Sequence, residues 1–223
     1  DAEIIEDLKK GGFLVHKTKY SHDYPLCWRC KTPLLMISIP QWFLKISEIQ
    51  KKLLTENKGT NWIPSYMKLR MNAWLEGISD WPVSRKRYWG TPLPIWVCEC
   101  KEKKVIGSKD ELERLSKTKI KSLHKPEIDE ITIKCKCGKQ MKRAEEILDV
   151  WFDSGVSSWA ALKQNKEEFN KFWPADLNIE GKDQIRGWWN SQLILSQIKF
   201  DKKPFDSVVV HGMALDLDKR KMS

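Results

Sequence analysis

The feature that most restricts the fold is the alternation in the last third of the chain. Residues 177–180 form a short strand candidate, residues 184–198 carry a helical pattern, and Ser207-Val208-Val209-Val210-His211 is a β-branched run closed by Gly212. Two strands separated by a helix of that length cannot form a hairpin. Short apolar strands that end in polar or glycine loops ahead of helices indicate a parallel sheet. The expected class is therefore α/β. The same alternation starts at residue 147: a strand over 147–152, a turn at Asp153-Ser154-Gly155 and a helix over 156–162. Sheets of this kind bind ligands in the loops at the carboxyl ends of their strands. Two such loops are present, one running from Glu180 to Trp188 and one from His211 to Ser223.

Upstream, Ile4, Ile5 and Leu8 mark a helix that Gly11-Gly12 stops. Residues 13–20 alternate like a strand, and an apolar strand is expected over 34–39, broken by Pro40. Trp42, Ile46, Ile49 and Leu53 mark a helix face, residues 57–60 a turn, and Met67, Met71, Trp74, Leu75 and Ile78 a second helix. No period runs through 80–94. Residues 95–97 and 131–134 read as strands, and 109–115 as a helix. No apolar run approaches the ~20 residues of a bilayer span, so no membrane segment is expected. The first residue is Asp1 and the last is Ser223, which reads as a piece of something longer.

Lys and Arg number 40 against 30 Asp and Glu, a net charge of +10. Such a surplus favours an anionic partner: nucleic acid, a nucleotide or an acidic surface. Arg29, Arg85 and Arg87 are candidates for phosphate contact, with surface ion pairs as the alternative.

The six cysteines fall in three close pairs. Close pairs beside Lys, Arg and Gly suit metal turns in a reducing, cytosolic compartment better than disulfides. Cys98, Cys100, Cys135 and Cys137 offer four thiolates, the set zinc prefers, around a charged segment that looks too poor in large apolar residues to have a core of its own. Four reduced structural cysteines are the alternative. Cys27 and Cys30 form half a site or a redox pair. A strand rather than a helix is expected after them, which disfavours redox chemistry.

In the first sheet-end loop, Gly181 lets a ligand approach the backbone, while Glu180 and Asp183 suit sugar hydroxyls or are simply solvated. Trp188-Trp189 suit core packing or a pocket wall. In the second, His211-Gly212-Met213 precede a cationic loop ending Lys221-Met222-Ser223, which suits a polyphosphate or is a solvated surface.

Taken together, these motifs resemble the class I aminoacyl-tRNA synthetases, and within that class the isoleucyl branch. Lys221-Met222-Ser223 is similar to the start of the Lys-Met-Ser-Lys-Ser loop. Ser84-Arg85-Lys86-Arg87-Tyr88-Trp89-Gly90-Thr91-Pro92-Leu93-Pro94, Asp149-Val150-Trp151-Phe152-Asp153-Ser154-Gly155, the stretch from Glu180 to Trp188, and Tyr24-Pro25-Leu26-Cys27-Trp28-Arg29-Cys30 match family segments in the family's order. Lys86, where bacterial members commonly carry Gln, points to an archaeal or eukaryotic type. The tight Cys98-Glu99-Cys100 spacing departs from the usual two-residue spacing.

The resemblance implies the second half of a synthetase Rossmann fold with a zinc-binding insertion and the tail of the connective peptide. Residues 1–60 would be that tail, 61–95 a return segment, 96–146 the insertion and 147–223 the catalytic half. It implies activation of isoleucine with ATP and Mg2+, then transfer to tRNA(Ile), by a cytoplasmic monomer. Lys221, Met222 and Ser223 would act on the phosphates. Glu180, Gly181, Asp183, Gln184, His211, Gly212 and Met213 would hold the adenylate, and Trp151, Trp188 and Gln184 the amino acid. Cys98, Cys100, Cys135 and Cys137 would bind one zinc. Cys27 and Cys30 would share another with a pair elsewhere. The His-x-Gly-His signature and the editing domain are absent from these residues, so the isolated piece is expected to be inactive. A zinc-dependent nucleic-acid-binding module without catalysis, or a valyl or leucyl relative, is the alternative.

Overall fold

The computed structural model describes residues 2–27, 29–162 and 166–222. The chain divides into two compact units, Asp1–Pro40 and Gln41–Ser223. The first contains α1 (Ala2–Lys10), as the spacing of Ile4, Ile5 and Leu8 predicts. The helix ends where Gly11 and Phe13 donate to the carbonyls of Asp7 and Leu8, with Gly12 at φ +72°. The strands expected over 13–20 and 34–39 do not form. Val15 is 98% exposed and Met36 94%. The reason is physical. An alternating pattern marks a strand only where a neighbour accepts its hydrogen bonds. Among the described residues, this unit has one isolated pairing, Leu26 with Pro33, around the turn of Cys27.

The second unit runs β1 (Phe43–Leu44), α2 (Gln50–Lys58), β2 (Asn61–Ile63), α3 (Tyr66–Glu76), β3 (Trp81–Pro82), β4 (Ser84–Arg85), β5 (Ile95–Val97), β6 (Lys103–Val105), α4 (Lys109–Ser116), β7 (Ile133–Lys134), β8 (Gln140–Arg143), β9 (Ile147–Leu148), α5 (Val150–Ala160), α6 (Lys166–Phe172), β10 (Ala175–Gly181), α7 (Trp188–Phe200) and β11 (Phe205–His211). Residues 41–60, grouped with the N-terminal segment on sequence grounds, share a core with α3, α7 and β11: Ile46 and Leu53 pack with Met71, Trp189 and Phe205.

The sheet that positions the candidate site has the order β10-β11-β2, all parallel. The parallel pairing of β10 with β11 agrees with the expected parallel sheet. The third strand, β2, is three residues long and lies beside the expected turn. Trp62 of β2 meets Trp189 of α7 edge to face at 5.3 Å.

One stretch differs from expectation. The strand expected over 147–152 and the turn at 153–155 are replaced by two strand residues and then α5. Asp149 decides this: its carboxylate caps the helix by accepting from the Trp151 amide at 3.3 Å. Gly155 is thus not a turn residue but a close-approach residue inside a helix. A Cβ there would lie 2.9 Å from both the carbonyl carbon and oxygen of Ser191, and 2.7 Å from Leu195 Cδ1, both on α7. Gly155→Ala should force α5 and α7 apart at a cost of about 1–3 kcal/mol, seen as a lower midpoint in denaturant at unchanged slope.

Residues 95–143 build a second sheet, β6-β5-β8-β7. Contrary to expectation, this insertion has its own core: Trp96, Ile106, Leu112, Ile120, Ile128, Ile133 and Met141 are buried together with Cys98 and Cys135. Its apolar residues are too scattered to form a periodic run, so the core appears only once the chain is folded.

Candidate functional site

Strands β10 and β11 run in parallel and finish level, Gly181 beside His211. The two loops singled out from the sequence therefore leave the sheet at one edge. A Cβ on Gly181 would sit 2.7 Å from Asp183 Oδ1, 3.5 Å from His211 Cε1 and 3.8 Å from Met213 Sδ. The missing side chain is what lets these groups close around the backbone.

After Gly181 the chain makes a 3-10 turn, Lys182–Arg186, before α7. Here the adjacent tryptophans separate. Trp189 points into the core, fully buried, and donates from Nε1 to Asn178 Oδ1 at 3.0 Å. Trp188 faces a cleft of about 470 Å³ lined by Trp151, Ser154, Ser157, Glu180, Gln184 and Trp188. The Trp188 amide donates to Gln184 Oε1 at 2.8 Å, and its Nε1 donates to the Ser154 carbonyl at 2.8 Å. Gln184 Nε2 donates to Asp183 Oδ2 at 3.2 Å. Gly187 keeps the wall thin: a Cβ there would fall 2.7 Å from Gln184 Oε1 and 3.1 Å from the Trp151 ring.

Of the expected site residues, Glu180, Gln184, Trp151 and Trp188 share this cleft, and Gly181, Asp183, His211 and Met213 gather at the adjoining strand ends. Gly212 comes directly after His211 and is exposed. Lys221 and Met222 lie on a reversed loop, with Leu215 bridged to Lys221 and the Met222 amide donating to the Ala214 carbonyl at 3.0 Å. Neither is among the cleft-lining residues. Ser223 lies outside the described residues. Sequence reasoning missed Ser154 and Ser157, because it placed Ser154 in a turn. Helical spacing from Trp151 puts both on the same side of α5.

Sequence reasoning also missed the network beneath Trp151. Asp149, nearly buried, accepts from Arg85 Nη2 at 2.6 Å and from Trp81 Nε1 at 3.1 Å. Arg85 also donates to the carbonyls of Pro82 and Ser84. Its guanidinium is thus committed to internal bonds, whereas Arg87 is exposed and Arg29 lies in the first unit.

The four cysteines of the insertion converge. The sulfurs of Cys98, Cys100, Cys135 and Cys137 all lie within 4.8 Å of one another. Two matching turns deliver them. Cys98 N donates to Glu102 O and Cys135 N to Lys139 O, with Lys101 at φ +71° and Gly138 at φ +87°. Cys137 is brought down to about 7, first by the Lys139 amide and then by the neighbouring thiols. The Cys100 amide favours the Cys98 thiolate, but burial and the other thiols prevail and push it up to about 12. Four sulfurs this close cannot all ionise unless a cation joins them. The tetrad fits a metal ion. Cys27 and Cys30 sit on a turn of similar build, with Cys27 N donating to Thr32 O, Lys31 N donating to Cys27 O and Lys31 at φ +59°. Cys30 is brought down to about 7, mainly by hydrogen bonds from Thr32.

Comparison with known proteins extends this geometry to a lineage. The chain is 46% identical to the isoleucine–tRNA ligase of Methanosarcina acetivorans and 47% to that of Methanocorpusculum labreanum, in each case over 99% of the chain and 21% of the relative. It spans about a fifth of the length of these curated relatives. A solved ternary complex of Agrobacterium radiobacter LeuRS with tRNA and LeuAMS shares the fold, with a TM-score of 0.51 and 24% identity over 66% of this chain and 21% of that one. The family described as tRNA synthetases class I (I, L, M and V) matches residues 15–223. A parallel sheet edge, a tryptophan-walled cleft and a sequence match over nearly the whole chain thus agree: this chain belongs to the class I tRNA synthetases.

Proposed function

We propose that the chain is the adenylate-binding half of an isoleucine–tRNA ligase, and that the cleft beside Trp188 receives the aliphatic side chain of isoleucine. One observation carries this reading: Glu180, Gln184, Trp151 and Trp188 line one cleft at a sheet edge where Gly181 and His211 end side by side. An apolar wall with a few convergent polar groups suits a small amphiphilic substrate.

The reaction joins a carboxylate oxygen of isoleucine to the α-phosphorus of Mg2+-bound ATP and releases pyrophosphate. A hydroxyl of tRNA(Ile) then takes the acyl group and AMP departs. No protein nucleophile is needed, so the residues act by positioning and by charge stabilisation. Glu180 and Asp183 accept from ribose hydroxyls, and Gly181 gives the nucleoside room. His211, Gly212 and Met213 lie against the base. Gln184 orients the amino-acid head group with the lone pair that Trp188 leaves free. Lys221 neutralises phosphate oxygens from its loop. Zinc on Cys98, Cys100, Cys135 and Cys137 ties two turns of the insertion together and takes no part in the chemistry. Residues 96–146 serve as that insertion, 61–95 return the chain to the catalytic half, and 147–223 form it. We place the enzyme in the cytosol, where paired thiols stay reduced.

The test is calorimetric titration with a non-hydrolysable isoleucyl-adenylate analogue. Binding should weaken roughly tenfold or more in Trp188→Ala, the usual scale for losing a buried aromatic anchor. Binding of tRNA with no response to the analogue would instead favour a nucleic-acid module without catalysis.

A further inference from the structure

The 3-10 turn that carries Gln184 also carries a second chemistry. With three residues per turn, successive side chains point in three directions. Gln184 faces the tryptophan cleft, Ile185 is buried in the core, and Arg186 lines a separate cleft of about 340 Å³ with Arg70, Ala73, Trp74, Gly77 and Ile185. Arg186 lies over the Trp74 ring at 5.0 Å. The indole is locked, since its Nε1 donates to Asn190 Oδ1 at 2.9 Å. Arg70 stands one helical turn before Trp74 on α3, on the same face. Ala73 and Gly77 leave space between them.

Two guanidiniums therefore border one small cleft. Among the described residues, neither has a carboxylate within ion-pair distance, whereas Arg85 has Asp149 and Arg143 has Asp129. An anion entering a cleft bordered by two guanidiniums is attracted by both. The planar fork of arginine fits a phosphate in two-point contact, and stacking on an indole pre-orients it.

We propose that Arg70, Trp74 and Arg186 form a phosphate-binding site on the reverse side of the turn from the adenylate cleft. The phosphate comes from a polynucleotide backbone or from a free phosphate compound. The site stands apart from the tryptophan cleft, and only the pyrophosphate-exchange control in its test rests on the proposed function.

The test uses the full-length ligase with Arg70→Gln, Arg186→Gln and the pair. Glutamine keeps helix propensity close to that of arginine, so Arg70→Gln on the exposed face of α3 leaves folding intact. If the site holds a backbone phosphate, the slope of log K against log salt for RNA binding should fall by about one per arginine removed. If it holds a free phosphate, titration with inorganic phosphate should show 31P line broadening that Arg70→Gln abolishes, with the RNA slope unchanged. Pyrophosphate exchange by Arg70→Gln should match the parent, which separates this site from the adenylate cleft. An unchanged slope together with an unchanged phosphate titration in every variant overturns the proposal.

Discussion

If the tetrad holds the proposed zinc, Cys135→Ser should take tight metal binding from one ion per chain to none, and should loosen the insertion without loosening the parallel sheet. Three sulfurs leave a tetrahedral ion short of a ligand, and the removed residue is itself part of the buried core. Small domains that fold only with zinc draw about 10–16 kcal/mol from it, which sets an upper bound. The loss here is smaller, because Trp96, Ile106, Leu112, Ile133 and Met141 stay packed beneath the tetrad. Amide exchange should therefore accelerate most at 98–102 and 135–140, the two turns the metal joins. The amides of β10 and β11, in a different sheet, should keep their protection. Chelation should reproduce the pattern. Metal-free protein with fully protected turns would remove the structural role. Two tightly held ions would mean that Cys27 and Cys30 complete a site with other ligands.

The parts of the molecule that were legible in the sequence share a cause, as do the parts that were not. Strand β11 carries three consecutive valines before a histidine and a glycine, and β10 ends in Glu180-Gly181. Short apolar strands that end in polar or glycine loops ahead of helices indicate a parallel sheet, so the shared edge came from local pattern. The cysteine tetrad was legible because its chemistry resides in residue type and not in periodicity. By contrast, β2 exists because β11 accepts it, and the unpaired stretches 13–20 and 34–39 show the converse in the same chain. Strand propensity misled at 150–152, where Val, Trp and Phe favour extended chain. The cap from Asp149 and the contact of Gly155 with α7 outweigh that preference. Of the two serines of the cleft, Ser154 was lost with the first turns of that helix, while Ser157 already lay in the expected helix.

The same cap makes Asp149→Ala the most damaging single change expected near the cleft. Alanine removes three interactions of one carboxylate. Loss of the cap costs about 1 kcal/mol. Leaving Trp81 Nε1, half-buried, without its acceptor costs roughly 1–3 kcal/mol. Arg85 is one-third exposed and can turn toward water, so its lost partner adds less than a fully buried pair would. The sum is about 3 kcal/mol, measurable as a lower midpoint in denaturant. The loss should not stop at stability. Trp151 is the second residue of α5, and the network of Arg85, Trp81 and Asp149 fixes where that helix starts. Once the first turn frays, the Trp151 wall of the cleft becomes mobile, and affinity for the adenylate analogue should fall with it. Asp149→Asn separates the two contributions. Asparagine has a single oxygen: at the Oδ1 position it keeps the cap on the Trp151 amide, but its NH2 group then replaces the Oδ2 that accepts from Trp81 and Arg85. It should recover about 1 kcal/mol of the stability and, with the first turn of α5 capped again, most of the analogue affinity. If Asp149→Ala loses stability while binding the analogue as the parent does, Trp151 is held by something other than this network.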